Sequence, residues 1–301
     1  MRAGTVGDYG RPLEFGISLA PAATDTMMIL EAARIADAGL DMIGFQDHPY
    51  QRRFLDTSAL ITRVAAETTQ VRVFHDVACL PLRPPAMMAN EAASIDIMSR
   101  GRFELGLGAG SFWDAIVGMG GPRLSPPEAL EALEEAVAVI RMMWSGERGL
   151  RFDGKHYTLN GIHSGPVPAH DIEIWLGVYG PKACALLGRV ADGWLPSLGR
   201  MSPGALADRH EIIDRSASEA GREPSTIRRM LNVSGRITEG SSEGHLVGPH
   251  SQWVDQLVEL VVQHGFDTFV YWPGDDPIDQ IHRFAGLTSD VVALVDRERR
   301  G

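Results

Sequence analysis

Cysteine is almost missing from this 301-residue chain: Cys79 and Cys184 are its whole complement. Two thiols cannot build the bridged framework of a small secreted domain. Long apolar runs are missing too, so no segment reads as a membrane span. The leader MRAGTVGDYGRP, residues 1–12, has no apolar stretch of the signal-peptide kind and is expected to be mobile. No block of basic residues stands out and the formal net charge is −11, which argues against a nucleic-acid partner. That charge also means that a polyanionic cofactor has to be held by local donors. Metal-ligand spacing is absent as well. His156, His163, His170 and His210 are scattered, with no Cys/His cluster among them. A Walker phosphate loop is lacking. What these absences leave is a cytoplasmic globular protein, expected to bind no metal, nucleic acid or membrane.

What is present is apolar patterning that alternates in period. Hydrophobic residues make up 44% of the chain, enough for a substantial core. Short runs read as strands at Leu13–Leu19, Asp41–Gln46, Val71–Ala78, Arg102–Leu107, Ile172–Gly177, Asp192–Leu195, Arg228–Ile237 and Thr268–Tyr271. Helical patterns lie between them. Thr24 or Asp25 caps the first, and Ile29, Ala32, Ala33 and Ala36 form its inner face. Pro84 and Pro85 stop the third strand, because they lack N–H donors and restrict the residues before them. The helix that follows, Ala86–Met98, carries Met87, Ala89, Ala93, Ile97 and Met98 at inward spacing and ends at Gly101. Ser125-Pro126-Pro127-Glu128 has the pattern of a capping box with proline at the first helical position. Residues 146–168 have no helical period and read as an excursion with a small hairpin around Arg151–Leu159. The methionine pairs Met27-Met28, Met87-Met88 and Met142-Met143 read as core filler.

Eight strands alternating with eight helices, in a chain with no dividing linker, predict an α/β fold: a single (β/α)8 TIM barrel over residues 1–301. The excursion falls between its fourth helix and fifth strand. In such a barrel ligands sit at the C-terminal strand ends, and four of those ends carry polar or glycine-rich chemistry. Asp47 and His48 end strand two, where an imidazole can exchange a proton near neutral pH. His75-Asp76-Val77 ends strand three. Gly108, Ala109 and Gly110 end strand four, where small residues let a planar ring approach the backbone. Ser111, Trp113 and Asp114 follow within reach. Tyr179-Gly180-Pro181-Lys182 runs from strand five into a helix, whose free N–H groups favour phosphate. Each also has an ordinary reading, as a loop histidine or a structural αβ turn.

LPLRPP, the helix ending in MSRGR and LGLGAG occur in that order between Leu80 and Gly110. Together they resemble the luciferase-like monooxygenase superfamily, the (β/α)8 flavin and deazaflavin enzymes related to bacterial luciferase. The continuation SFWDAIVGMGGPR is similar to the branch that uses coenzyme F420, and GFDTFVYWP extends the resemblance over nearly the whole chain. The resemblance implies an F420-dependent oxidoreductase that transfers a hydride between F420 and a small organic substrate. Two alternatives accompany it: an FMN-dependent monooxygenase on the same barrel, and a barrel that serves as a non-catalytic binding protein. It further implies His48 as acid/base and Asp47 beside the cofactor. A bulged, non-proline cis peptide at Asp76–Val77 would lie behind the ring. Gly108, Ala109, Gly110 and Asp114 would flank it, and the phosphate would sit on Tyr179, Gly180 and Lys182. A homodimer is the family's habit. Two residues depart from the pattern. Asp76 stands where a small residue belongs, which leaves its role open. Ser111 stands where a sugar-phosphate dehydrogenase subgroup has a glutamate, so that activity is not expected.

Overall fold

Each barrel strand is an apolar run too short to stand alone, and parallel pairing around a ring gives every one two neighbours. The structure, a computed structural model, describes residues 7–300. Its barrel strands are β1 (Glu14–Leu19), β2 (Met42–Phe45), β3 (Arg72–His75, resumed at Ala78–Cys79), β4 (Phe103–Gly108), β5 (Ile174–Leu176), β6 (Gly193–Trp194), β7 (Arg228–Ile237) and β8 (Thr268–Pro273). They pair in that order, all parallel, and β8 pairs back onto β1 to close the ring. The helices α1 (Thr26–Gly39), α2 (Thr57–Glu67), α3 (Pro85–Ser99), α4 (Pro126–Trp144), α5 (Pro181–Val190), α6 (Pro203–Glu219), α7 (His250–Val262) and α8 (Pro277–Arg300) follow the strands in turn. The TIM barrel read from the sequence is therefore the fold. The excursion contains the expected hairpin, Leu150–Asp153 antiparallel to Thr158–Ile162. Among the described residues no helix is long and apolar enough to cross a membrane.

Closure works because large side chains in the barrel interior lie beside glycines at paired positions of neighbouring strands. Met42, Phe74, Trp175, Leu195, Met230 and Val270 form one buried cluster there. A Cβ on Gly16 would lie 2.2 Å from the Met42 Cγ, and one on Gly44 2.5 Å from the Phe74 Cζ. Gly193 makes the same room for Trp175, at 2.5 Å. Bulky residues fill the interior and glycines on neighbouring strands admit them, so the interior is packed rather than open. The N-terminal end of the barrel is sealed by charge. Arg228 lies 2.8 Å from Glu14 and 3.4 Å from Glu173, and Arg72 pairs with Glu14 and, at 3.3 Å, with Glu104.

Several local expectations need correction. Strand three is not continuous over Val71–Ala78 but breaks at Asp76 and Val77. Asp25 belongs to a 3-10 turn, Ala23–Asp25, and makes no side-chain cap. A short helix, Trp113–Gly118, was not anticipated. The described part of the leader, residues 7–12, is tied down: Tyr9 donates to Asp214 at 2.7 Å, Arg11 to the Thr226 carbonyl at 2.9 Å, and Arg299 to Asp8 at 2.6 Å. Residues 1–6 lie outside the described residues.

The largest change concerns α3. Met88, Ala89, Ala92, Ala93 and Ile95 face inward, whereas Met87, Ile97 and Met98 are exposed. Met27 is exposed as well, so those methionine pairs divide between core and surface. Apolar residues and the polar Asn90, Glu91, Ser94 and Asp96 are spread around the segment, so its period cannot choose a face. A buried carboxylate chooses instead. Asp96 accepts from the Ala169 N–H at 2.7 Å, the His170 N–H at 3.1 Å and the His170 ring Nδ1 at 2.7 Å. This turns α3 so that Asp96 faces the segment leading to β5.

Hydrogen bonds to Asp96 and, at 3.5 Å, to Glu104 push the His170 pKa up to about 10. The folded value lies above the ordinary 6.5. The pairing therefore stabilises the fold fully below that pH and is lost as pH rises toward 10. Denaturant unfolding from pH 6 to pH 10 should show stability declining over that window. Asp96→Asn should flatten the decline and cost about 1–3 kcal/mol at pH 6.

Candidate active site

The C-terminal strand ends open onto a cavity of about 760 Å³, within the range of small-molecule and cofactor sites. Its floor is the break in β3. The Asp76–Val77 peptide is cis, at the position the resemblance implied, and Val77 packs on the interior cluster. The glycines around it are there for space. A Cβ on Gly108 would lie 2.7 Å from a Val77 methyl, one on Gly177 3.2 Å from both methyls, and one on Gly106 1.9 Å from the His75 carbonyl oxygen. Small strand ends and one valine thus make a flat, mostly apolar floor.

Asp47 fastens this floor to β2. Its carboxylate accepts from the Cys79 N–H at 2.9 Å and from Arg83 Nε and Nη2 at 2.8 and 3.0 Å. Burial pushes the Asp47 carboxyl up, but the hydrogen bonds and charge of Arg83, with the Cys79 N–H, prevail and hold it below the usual range. Arg83 reaches on to Asp56 at 2.8 Å, and Asp56 caps α2 by accepting the Ala59 N–H at 2.9 Å. The Asp47 side chain is wholly covered, so it supports the cavity from behind.

His48 is half-buried on the wall. Its Nδ1 lies 2.6 Å from the Tyr50 hydroxyl, and its ring meets Phe112 edge-on at 5.3 Å between centroids. Burial lowers its pKa below the ordinary 6.5, against the pull of Asp47, so the imidazole is neutral at pH 7. Burial raises the Tyr50 pKa, which keeps the phenol protonated. Because that hydroxyl can donate or accept, it serves either imidazole tautomer.

Asp76 is another titratable group lining the cavity, 7% exposed. Its Oδ1 accepts from Asn232 Nδ2 at 3.0 Å, and Asn232 Oδ1 accepts from Trp272 Nε1 at 3.0 Å. Its Oδ2 has no partner. Burial pushes its pKa up to about 6, with Asn232, Ser18 and Trp272 opposing.

At the far side the turn into α5 carries Gly180, where an added Cβ would meet open space. Pro181 takes the first helical position, and the first turn leaves backbone N–H groups without helical acceptors. Tyr179 is pinned beside it: its hydroxyl donates to Ser197 Oγ and accepts the Ser197 N–H, each at 3.2 Å. Arg200 borders this end and is the only lysine or arginine of the cavity wall among the described residues.

The fold therefore gathers Asp47, His48, Asp76, Val77, Gly108, Ala109, Gly110, Tyr179 and Gly180 around one space. It leaves out two expected residues. Asp114 sits in the first turn of the short helix, its side chain 98% exposed and paired with Arg123. Lys182, the second residue of α5, is exposed outside the wall. Sequence reasoning missed Tyr50, Arg200, Asn232 and Trp272. A signal existed for one of them: Asn232 is a polar residue inside the apolar run of β7, where a barrel interior demands a reason.

Residues 19–244 match the model of the luciferase-like monooxygenase family. The F420-dependent glucose-6-phosphate dehydrogenase of Kineococcus radiotolerans is 30% identical over 239 residues, 75% of this chain and 70% of that protein. Among solved structures, an F420-dependent secondary alcohol dehydrogenase in complex with an F420-acetone adduct superposes with a TM-score of 0.83 at 19% identity, covering 93% of this chain and 99% of that one. The oxygenating constituent of 3,6-diketocamphane monooxygenase from Pseudomonas putida, in complex with FMN, gives 0.79 at 18% identity over 94% and 98%.

The glycines of the floor differ in what they can tolerate. Gly106→Ala would drive a methyl into backbone and should destabilise the protein by about 3 kcal/mol or more. Gly108→Ala meets only a side chain, so it should fold, shift Val77 and weaken ligand binding. Thermal melts of both variants, with a ligand titration of the second, check this.

Proposed function

The chain belongs to the luciferase-like monooxygenase family, and we propose that it is an oxidoreductase dependent on coenzyme F420, moving a hydride between that cofactor and a small alcohol or carbonyl compound. The observation that carries this reading is the neutral imidazole of His48, half-buried on the cavity wall and backed by Tyr50. The residues present fit the cofactor. Val77 with Gly108 and Gly177 offers a flat bed for a ring. The open turn at Gly180, the first N–H groups of α5 and Arg200 suit a phosphate.

When bound, the deazaflavin supplies two-electron hydride chemistry. The chain's own part is to manage the proton. His48, neutral, accepts the proton of a substrate hydroxyl during oxidation and returns it during reduction. Asp47 keeps the floor in register through Arg83 and Cys79. Arg200 supports an unphosphorylated substrate: it is the one cation on the wall among the described residues, and a phosphorylated substrate would compete with the cofactor for it. Ser111 adds only a hydroxyl, which also speaks against sugar-phosphate oxidation.

We also propose a homodimer, in which a second copy covers the outer stripe of α3, where Met87 is 65% and Met98 63% exposed. The cytoplasm suits two unpaired, buried cysteines.

Parallel titrations of the apo-protein with F420 and FMN should give tighter binding of F420. Tighter FMN binding, with oxygen consumption by the reduced complex, would point to the monooxygenase alternative. Arg200→Ala and Gly180→Val should each weaken cofactor binding without loss of fold. His48→Ala should lower turnover by about 10²–10⁴-fold. Because the base must be unprotonated, alcohol oxidation in the native enzyme should fall as pH drops through the His48 pKa, below 6.5.

A further inference from the structure

Asp76 has no use in the scheme above, yet it is the least explained polar group in the cavity. One carboxylate oxygen is satisfied by Asn232. That amide cannot turn away, because Trp272 holds its carbonyl. The other oxygen, Oδ2, is buried and makes no hydrogen bond of ordinary geometry, and the Ser18 hydroxyl beside the carboxyl is likewise unpartnered; the residue lines the cavity. A buried polar atom left without a hydrogen bond is costly and rare, and a ligand is one way to satisfy it.

The surroundings decide which protonation state a ligand meets. The neighbours on β1, β7 and β8 are Ser18, Asn232 and Trp272, all uncharged. The other ionisable groups on the wall are Asp47, His48, Tyr50, Cys79, Tyr179 and Arg200, and none of them bonds to Asp76. Asp47 spends its charge on Arg83, and His48 faces Tyr50. An ionised carboxylate here has no cation to balance it, and a bound ring would strip away its remaining water. The proposed cofactor is itself an anion.

Resting on the F420 reading, we propose that Asp76 meets the cofactor as a neutral acid: it takes up one proton from solvent as the ring enters, and Oδ2 donates that proton in a hydrogen bond to an acceptor atom of the ring. The aspartate then acts as a ring-recognition group at the cavity floor. In the empty protein its pKa of about 6 leaves it mostly ionised at pH 7, so binding and protonation are coupled.

Calorimetric titration of the protein with F420, in buffers of differing ionisation enthalpy, reads the proton directly. Uptake should be about one proton per cofactor near pH 7, and affinity should fall up to about tenfold per pH unit above pH 6. Asp76→Asn keeps the shape and a donor, so it should bind with no uptake and a flat pH profile. Asp76→Ser, a smaller replacement, should also bind without uptake, more weakly than the asparagine variant. F420 binding by the native protein without proton uptake, or with affinity rising with pH, would overturn the proposal and leave the F420 reading intact. Failure of native protein and variants alike to bind F420 would remove both.

Discussion

The carboxylate of Asp47 is the point on which the site depends. It is buried, and it survives as an anion only because Arg83 and the Cys79 N–H surround it. Removing one partner from such a buried pair costs about 3–5 kcal/mol, since the remaining charge is stranded. What the pair secures is position. It ties the end of β2 to the chain just after the break in β3, and through Asp56 it reaches the start of α2. The floor of the cavity is the segment between those ties.

Around that floor, packing and polarity follow from the barrel itself. Glycines at the strand ends let Val77 rise to the barrel axis, and the same device lower down lets Met42, Phe74 and Trp175 fill the interior. The two ends of the barrel then use their charges differently. At the N-terminal end, Arg72 and Arg228 pair with Glu14, Glu104 and Glu173 and close the barrel. At the C-terminal end, one carboxylate is neutralised by Arg83. Another, Asp76, has no counter-charge, and the imidazole of His48 is kept neutral by burial. A sealed base and a responsive mouth are what a site on a rigid scaffold needs.

Position in the strand order explains which site residues could be read in advance. Asp47, His48, Gly108 and Gly110 at the end of β4, and the turn at Gly180 lie where an apolar strand gives way to polar residues, and that boundary is visible in a linear chain. Asn232 and Trp272 come from β7 and β8, whose pairing brings them to the cavity. Arg200 lies in the connection after β6. The relation of Asn232 to Asp76 spans more than a hundred residues of chain and exists only after closure. Asp114 and Lys182 lie off the cavity wall for a complementary reason. Both lie near the site in sequence, but each occupies an early helical position from which its side chain leaves the wall.

By itself the sequence determined the barrel, because eight apolar strands alternating with helices leave few other ways to bury both faces of each strand. It also placed the acid/base candidate at His48, where an apolar strand gives way to a polar loop, whereas apolar patterning left strand three unbroken and only the family resemblance pointed to Asp76–Val77. Tertiary structure alone decided which face of α3 turns inward, because a helix with no net apolar side has no preferred face until Asp96 finds His170. It decided too that Asp47 supports the floor from behind while Asp76 faces the cavity with one oxygen unsatisfied. Local pattern records which residues are apolar and where the chain must turn. The state of a buried charge depends on which distant donors the closed fold brings within hydrogen-bond reach.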